Sequence, residues 1–140
     1  MHHRKAFRSY SLNYFLNGDL APEHLGLVPP ESSTGILTRF AQIRQPTKVF
    51  TFLDENEHTI EDGLFLFFKE PSFIWQNCST HRHNQGQNLA FADGHAEHWR
   101  WHSPKVFEDY YQIANTPEKK TDIRRLQAAL RSCLVPLPKF

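Results

Sequence analysis

The sequence predicts an α+β fold: a small antiparallel sheet with a C-terminal hairpin, followed by a terminal amphipathic helix. Three observations predict it. Twelve Phe, three Trp and four Tyr in 140 residues favour strands and large buried contacts. Two strand-like runs, "NLAFA" and "HAEHWRW", flank Asp93-Gly94, a dipeptide suited to a tight hairpin turn. The segment "TDIRRLQAALRSCL" (Thr121–Leu134) puts Ile123, Leu126, Leu130, Cys133 and Leu134 on one helical stripe, with Arg124, Arg125 and Arg131 largely outside it.

Taken in order, "SYSLNYFLNG" reads as a short strand or extended segment ending in a turn at Asn17-Gly18. Asp19 to Gly35, with Pro22, Pro29 and Pro30, reads as loop. "ILTRFAQI" (Ile36–Ile43) alternates loosely and is closed by Pro46. "KVFTFLDE" (Lys48–Glu55) crowds Val, Phe and Thr into a short run and is the clearest strand of the first half. The acidic group Asp54, Glu55, Glu57, Glu61 and Asp62 reads as a solvated loop with capping carboxylates; oxygen ligation of calcium is the alternative. "LFLFF" (Leu64–Phe68) is apolar on both faces and reads as a buried strand. A polar connection then delivers His81 and His83 to the hairpin, and a Pro-Glu-Lys-Lys loop precedes the final helix.

Size and charge bound the function classes. A chain of 140 residues suits one domain, 1–140, with a real core. Sixteen Lys and Arg against fifteen Asp and Glu give a formal charge of +1, which offers no general handle on nucleic acid. The basic group Lys119, Lys120, Arg124 and Arg125 reads as a solvated helix face. No run of eighteen apolar residues is present to form a membrane span, and "MHHRKAFRSY" lacks the apolar stretch of a secretory signal. Cys78 and Cys133 have no CxxC spacing, which excludes a zinc ribbon; one long-range disulfide or two thiols remain open.

The stretch "HNQGQNLAFADGH", from His83 to His95, concentrates the candidate chemistry. With a two-residue loop, Ala92 faces His95, Phe91 faces Ala96, Ala90 faces Glu97 and Leu89 faces His98. His95, Glu97, Trp99 and Trp101 then share one face with Ala90 and Ala92, while His98 and Arg100 lie beside Leu89 and Phe91. His83 enters from the preceding loop. "NQG" can return its imidazole to the turn, where it ties to the Asp93 carboxylate or to turn carbonyls. His83, Asp93 and Gly94 are thus expected to shape the hairpin. Coordination of a cation by His83, Asp93 and His95, with Asp54 or Glu55, and acid–base chemistry stay open beside that reading. A metal-dependent hydrolase would use His81, His83, Asp93 and His95. A carbohydrate- or substrate-binding module would stack its ligand on exposed Trp75, Trp99 and Trp101. His24 and His58 read as exposed loop residues; His2 and His3 lie at the terminus.

His83, nine residues and then Asp93-Gly94 resemble the H-x9-D-G signature of prepilin-type proteins of the Planctomycetes and Verrucomicrobia type, which are similar to type II secretion pseudopilins. "RHNQGQNLAFADGHAEHWRW" looks like the closing block of that family, "SYSLN" like its Ser-Tyr-x-x-Asn segment, and Pro46 with Asp54-Glu55 like its Pro-x7-Asp-Glu segment. "DIRRLQAAL" is similar to its terminal helix, so the resemblance spans residues 8–134. It implies a non-enzymatic pilin-like head without the N-terminal helix, with an apolar patch exposed where that helix would pack. It also implies other pseudopilins or secretion-apparatus proteins as partners, and location in the cell envelope when joined to a prepilin N-terminus. A calcium ion that fixes a loop in related major pseudopilins extends the resemblance to a divalent cation, without naming ligands.

Overall fold

The computed structural model describes residues 9–16, 39–60, 63–66, 72–105 and 111–131. Its main sheet has five strands: β1 (Tyr10–Asn13), β2 (Phe50–Asp54), β3 (Leu64–Phe65), β5 (Gly86–Phe91) and β6 (Ala96–Arg100). Their order is β3-β1-β2-β5-β6. β1 and β3 run parallel, and the other neighbours are antiparallel. β4 (Ile74–Trp75) and β7 (Gln112–Ile113) form a separate two-stranded ladder. Helix α1 spans Pro117–Arg131. The architecture is α+β with a mixed sheet; the β1/β3 pair departs from the purely antiparallel expectation.

Alternation sorts the sheet into two faces. Ser11, Asn13, Phe50, Leu53, Leu89, Phe91 and Trp99 point inward and are buried. Ile123, Leu126 and Ala129 of α1 join the same core, and the Arg125 guanidinium stacks 4.2 Å from the Trp99 ring. On the outer face, Leu12, Phe52, Ala90 and Ala96 stand side by side across β1, β2, β5 and β6. A bulge between Phe50 and Phe52 lets both phenylalanines fit, one in the core and one on the outer face.

The hairpin exists, but its loop is one residue longer than expected. Gly94 N–H donates to Phe91 C=O at 2.9 Å, Gly94 sits at φ 93°, and Phe91 N–H donates to His95 C=O at 2.9 Å. That is a type I turn closed by a glycine bulge. The register becomes Ala90↔Ala96, Leu89↔Glu97, Asn88↔His98 and Gln87↔Trp99. A one-residue slip exchanges the faces. Trp99 therefore lies with Leu89 and Phe91, not with the alanines, and His98 lies with Asn88 and Ala90. Large inward side chains on both strands decide the matter, because the alternative register would expose Leu89 and Phe91.

Three other expectations are corrected. Pro117 to Lys120 are the first turn of α1, not a loop. Thr116 caps them, its Oγ1 accepting from Lys119 N–H at 3.3 Å, and Pro117 occupies the first helical position. Arg124 and Lys120 lie over the Phe73 ring, at 4.0 and 4.9 Å, rather than only in solvent. Phe40–Gln42, within the loosely alternating Ile36–Ile43, and Pro46–Lys48 are short 3₁₀ turns, so Lys48 precedes the strand instead of opening it. Asn17-Gly18, Phe67-Phe68, Glu61-Asp62, His24 and Cys133 lie outside the described residues, whereas Cys78 is buried in the core. Among the described residues no helix is long and apolar enough to cross a membrane.

Two glycines separate the causes of sequence constraint. A Cβ at Gly86 would come within 2.2 Å of the Trp99 carbonyl oxygen, whereas one at Gly94 meets open space and only the positive φ opposes it. Gly94→Ala is expected to cost about 1 kcal/mol in urea unfolding. Gly86→Ala is expected to cost more, about 3 kcal/mol, because backbone must move. The reverse order would refute the close approach at Gly86.

Candidate functional site

Glu55 follows β2 at an inward position and is wholly buried. Its Oε2 accepts from the Ser11 hydroxyl, and its Oε1 accepts from Thr59 Oγ1 and Asn77 Nδ2, both at 2.9 Å. The partners are tied in turn. Thr59 Oγ1 accepts from Cys78 N–H at 3.1 Å, and Asn77 Oδ1 accepts from Leu66 N–H at 2.9 Å. Asn77 Nδ2 also donates to Thr59 C=O at 3.0 Å. Outside this knot, Arg82 donates to the Glu55 carbonyl at 2.9 Å and pairs with Glu57 at 2.7 Å. Asn13 closes the other end of the β1/β2 pair, donating through Nδ2 to Phe50 C=O at 2.9 Å. Within the acidic group Glu55 is thus a buried hub and not a solvated loop residue, Asp54 takes His83, and the exposed Glu57 is ion-paired.

His83 corrects the sequence reading most directly. Its Nε2 lies 3.1 Å from Asp54 Oδ2, an oxygen that also accepts from Asn88 N–H at 3.1 Å. Its carbonyl contacts the His98 Nε2 at 2.7 Å. These contacts are at the open end of the hairpin, where Gly86 faces Arg100, whereas Asp93-Gly94 forms the closed end. The imidazole latches β2 to the loop before β5; it does not tie to Asp93.

At the closed end Asp93 accepts from the His95 ring Nδ1 and, at 3.2 Å, from His95 N–H. His95 stacks on Phe91 at 4.5 Å, and its Nε2 lies 3.6 Å from Glu97 Oε1. The hydrogen bond to Asp93, helped by Glu97, raises the His95 pKa, and the same bond lowers that of Asp93. His81 lies elsewhere, with Nδ1 2.7 Å from Lys105 C=O. The trio His83, Asp93 and His95 is therefore not brought together, nor is the hydrolase set with His81. Among the described residues no group of three or more His, Cys, Asp or Glu is placed to hold a metal ion.

Trp75, Trp99 and Trp101 are exposed by only 2%, 7% and 2%, so they form no stacking platform for a sugar. Trp75 and Trp99 each meet Trp101 edge-on, at 6.2 and 6.1 Å, and Trp101 Nε1 donates to Thr80 C=O at 2.9 Å. They are core.

A second buried polar cluster went unnoticed in the sequence. Asp122, fully buried on α1, accepts at Oδ1 from His102 N–H and faces the His102 ring Nδ1, both at 2.9 Å. Its Oδ2 accepts from Ser103 N–H at 3.0 Å, from Ser103 Oγ at 3.2 Å and from Lys105 Nζ. Lys105 also donates to Ser103 C=O at 2.9 Å and Ser103 Oγ at 3.0 Å. Burial lowers the Lys105 pKa against the pull of Asp122. Burial would raise that of Asp122, but bonds from Lys105 and His102 outweigh it and leave it lowered. Ser103 beside Lys105 has the residue types of a serine–lysine nucleophile pair. Here all three ammonium donors are engaged and the carboxylate holds the lysine, so the cluster fastens the exit of β6 to α1. The signal available was Asp122 on the apolar side of the helix stripe.

No family model, curated protein or solved structure matches the chain.

Two outcomes test this geometry. Glu55→Gln turns one acceptor into a donor facing donors and is expected to cost about 2–3 kcal/mol in denaturant unfolding. His83→Ala, at a half-exposed pair, is expected to cost about 1 kcal/mol or less. A larger loss in the histidine variant would reverse the ranking. For the hairpin tip, His95 stabilises below its ordinary pKa of 6.5, and that contribution fades as pH rises through the raised folded value. Asp93 stabilises above 3.8 and loses its effect as pH falls through its lowered folded value. The pair therefore contributes most between these limits. A melting-temperature profile of His95→Gln should lie closest to the parent outside that window and furthest below it inside.

Proposed function

We propose that the chain is a non-enzymatic, pseudopilin-like head domain that serves assembly or contact in a secretion or surface apparatus of the cell envelope. The observation that carries this reading is the outer face of the sheet. Tyr10 and Phe52 are exposed by 57% and 43% and meet edge-on at 6.1 Å, flanked by Leu12, Ala90 and Ala96. A cluster of exposed apolar side chains on a sheet face supports a contact surface. The polar residues of the resembling segments favour the same reading: Asn13, Asp54, Glu55, His83 and Asp93 are each engaged in bonds within the chain. Other pseudopilins or proteins of the apparatus are the proposed partners.

The test is site-specific photocrosslinking from position 52 in cells that make the protein, with adducts identified by mass spectrometry and position 118, exposed on α1, as control. Adducts to envelope proteins of the pilin or secretion class, specific to position 52, are expected. Adducts confined to cytosolic proteins, or none, overturn the proposal.

A further inference from the structure

Between β7, α1 and the segment that follows β6 lies a cavity of about 270 Å³. Pro104 and Ile113 supply its exposed apolar surface, Trp75 and Ala114 being almost wholly buried; Lys119 and Gln112 supply polar groups, the Lys105 ammonium being held by Ser103 and Asp122. Among the described residues that line it, none is acidic. Asp122, the carboxylate that holds Lys105, has both oxygens engaged by His102, Ser103 and Lys105. Lys119 stands differently. Among the described residues it forms no ion pair, and its ammonium makes only a long 3.4 Å contact with Asn115 Oδ1. With Lys105 paired to Asp122, Lys119 is the cation lining the cavity that no carboxylate matches among the described residues. Its volume is at the small end for ligand sites. Exposed Tyr111 and Ile113, at 47% and 64%, put apolar surface beside it, and Tyr111 holds a positive φ of 61°.

We infer that this cavity binds a small organic carboxylate, its apolar body against Pro104 and Ile113 and its charge toward Lys119. The inference is independent of the outer sheet face and of the envelope reading. An unpaired ammonium beside an apolar wall selects an anion with an apolar body over either a neutral isostere or a bare ion, because each alternative loses one of the two contributions. A free acid and the C-terminus of a peptide share this chemistry.

The test is calorimetric titration of the whole chain with phenylacetate, benzyl alcohol, inorganic phosphate, and a short peptide ending in Phe as free acid or amide. Amide chemical shifts provide the map. Saturable binding of phenylacetate or of the free-acid peptide is expected, with shifts centred on 112–114 and 119. The preferred acid identifies the source: phenylacetate a free acid, the peptide a chain terminus. Lys119→Gln, on a partly exposed helix position, should weaken binding about tenfold. Ile113→Trp, at an exposed position, should obstruct the cavity without unfolding the chain. Equal binding of benzyl alcohol or of phosphate, a shift map centred elsewhere, unchanged affinity in both variants, or no saturable binding of either acid overturns the inference.

Discussion

The buried carboxylate of Glu55 is the constraint around which the rest of the structure is arranged. A carboxyl group removed from water is tolerated only where donors surround it, and the donors come from three separate parts of the chain: Ser11 in β1, Thr59 in the turn after β2, and Asn77 after β4, whose neighbour Cys78 donates its backbone N–H to Thr59. None of these bonds forms until the segments meet. The knot therefore specifies which segments are neighbours, while apolar burial around Leu53, Leu89 and Phe65 supplies the bulk of the driving force. The Asp122–Lys105 cluster plays the same part on the other side of the core, where it fixes α1 against the exit of β6.

Both clusters bear on function. A polar group at a reaction centre must keep a valence for substrate. Glu55 accepts at both oxygens, and Lys105 donates all three protons within the chain. The groups that most resemble catalytic chemistry in composition are thus the ones most fully enclosed. Among the described residues, exposed Tyr10 and Phe52 on the sheet and the cavity beside α1 are turned outward.

Local features were legible in the sequence. The Val-Phe-Thr-Phe run gave β2 to within a few residues, and Ile123 and Leu126 marked the buried stripe of α1. The hairpin was legible as a hairpin, but not its register. Asp-Gly serves two-residue and three-residue loops alike, and "NLAFA" is apolar on both faces, so alternation alone could not choose. The weight of Leu89, Phe91 and Trp99 on one side was the missing argument. The start of α1 was legible in Thr116-Pro117, a cap followed by proline, but the charged Glu-Lys-Lys that follows resembles a loop. The Glu55 knot was not legible, because its partners are separated by as many as 44 residues and are individually ordinary. Only parity hinted at it: Glu55 falls on the same side of the strand as Leu53.

The strand order carries a kinetic consequence. Within the five-stranded sheet only β5 and β6 are joined by a short connection; β1 must find β2 some forty positions away, and β3 must then dock alongside β1. Closing long loops delays contacts in proportion to their span, so the order of assembly runs from the hairpin outward, with β2 added before β1. Until β1 arrives, Ser11 is absent and Glu55 has an incomplete set of donors, which makes the docking of β1 the step that commits the chain to its native arrangement.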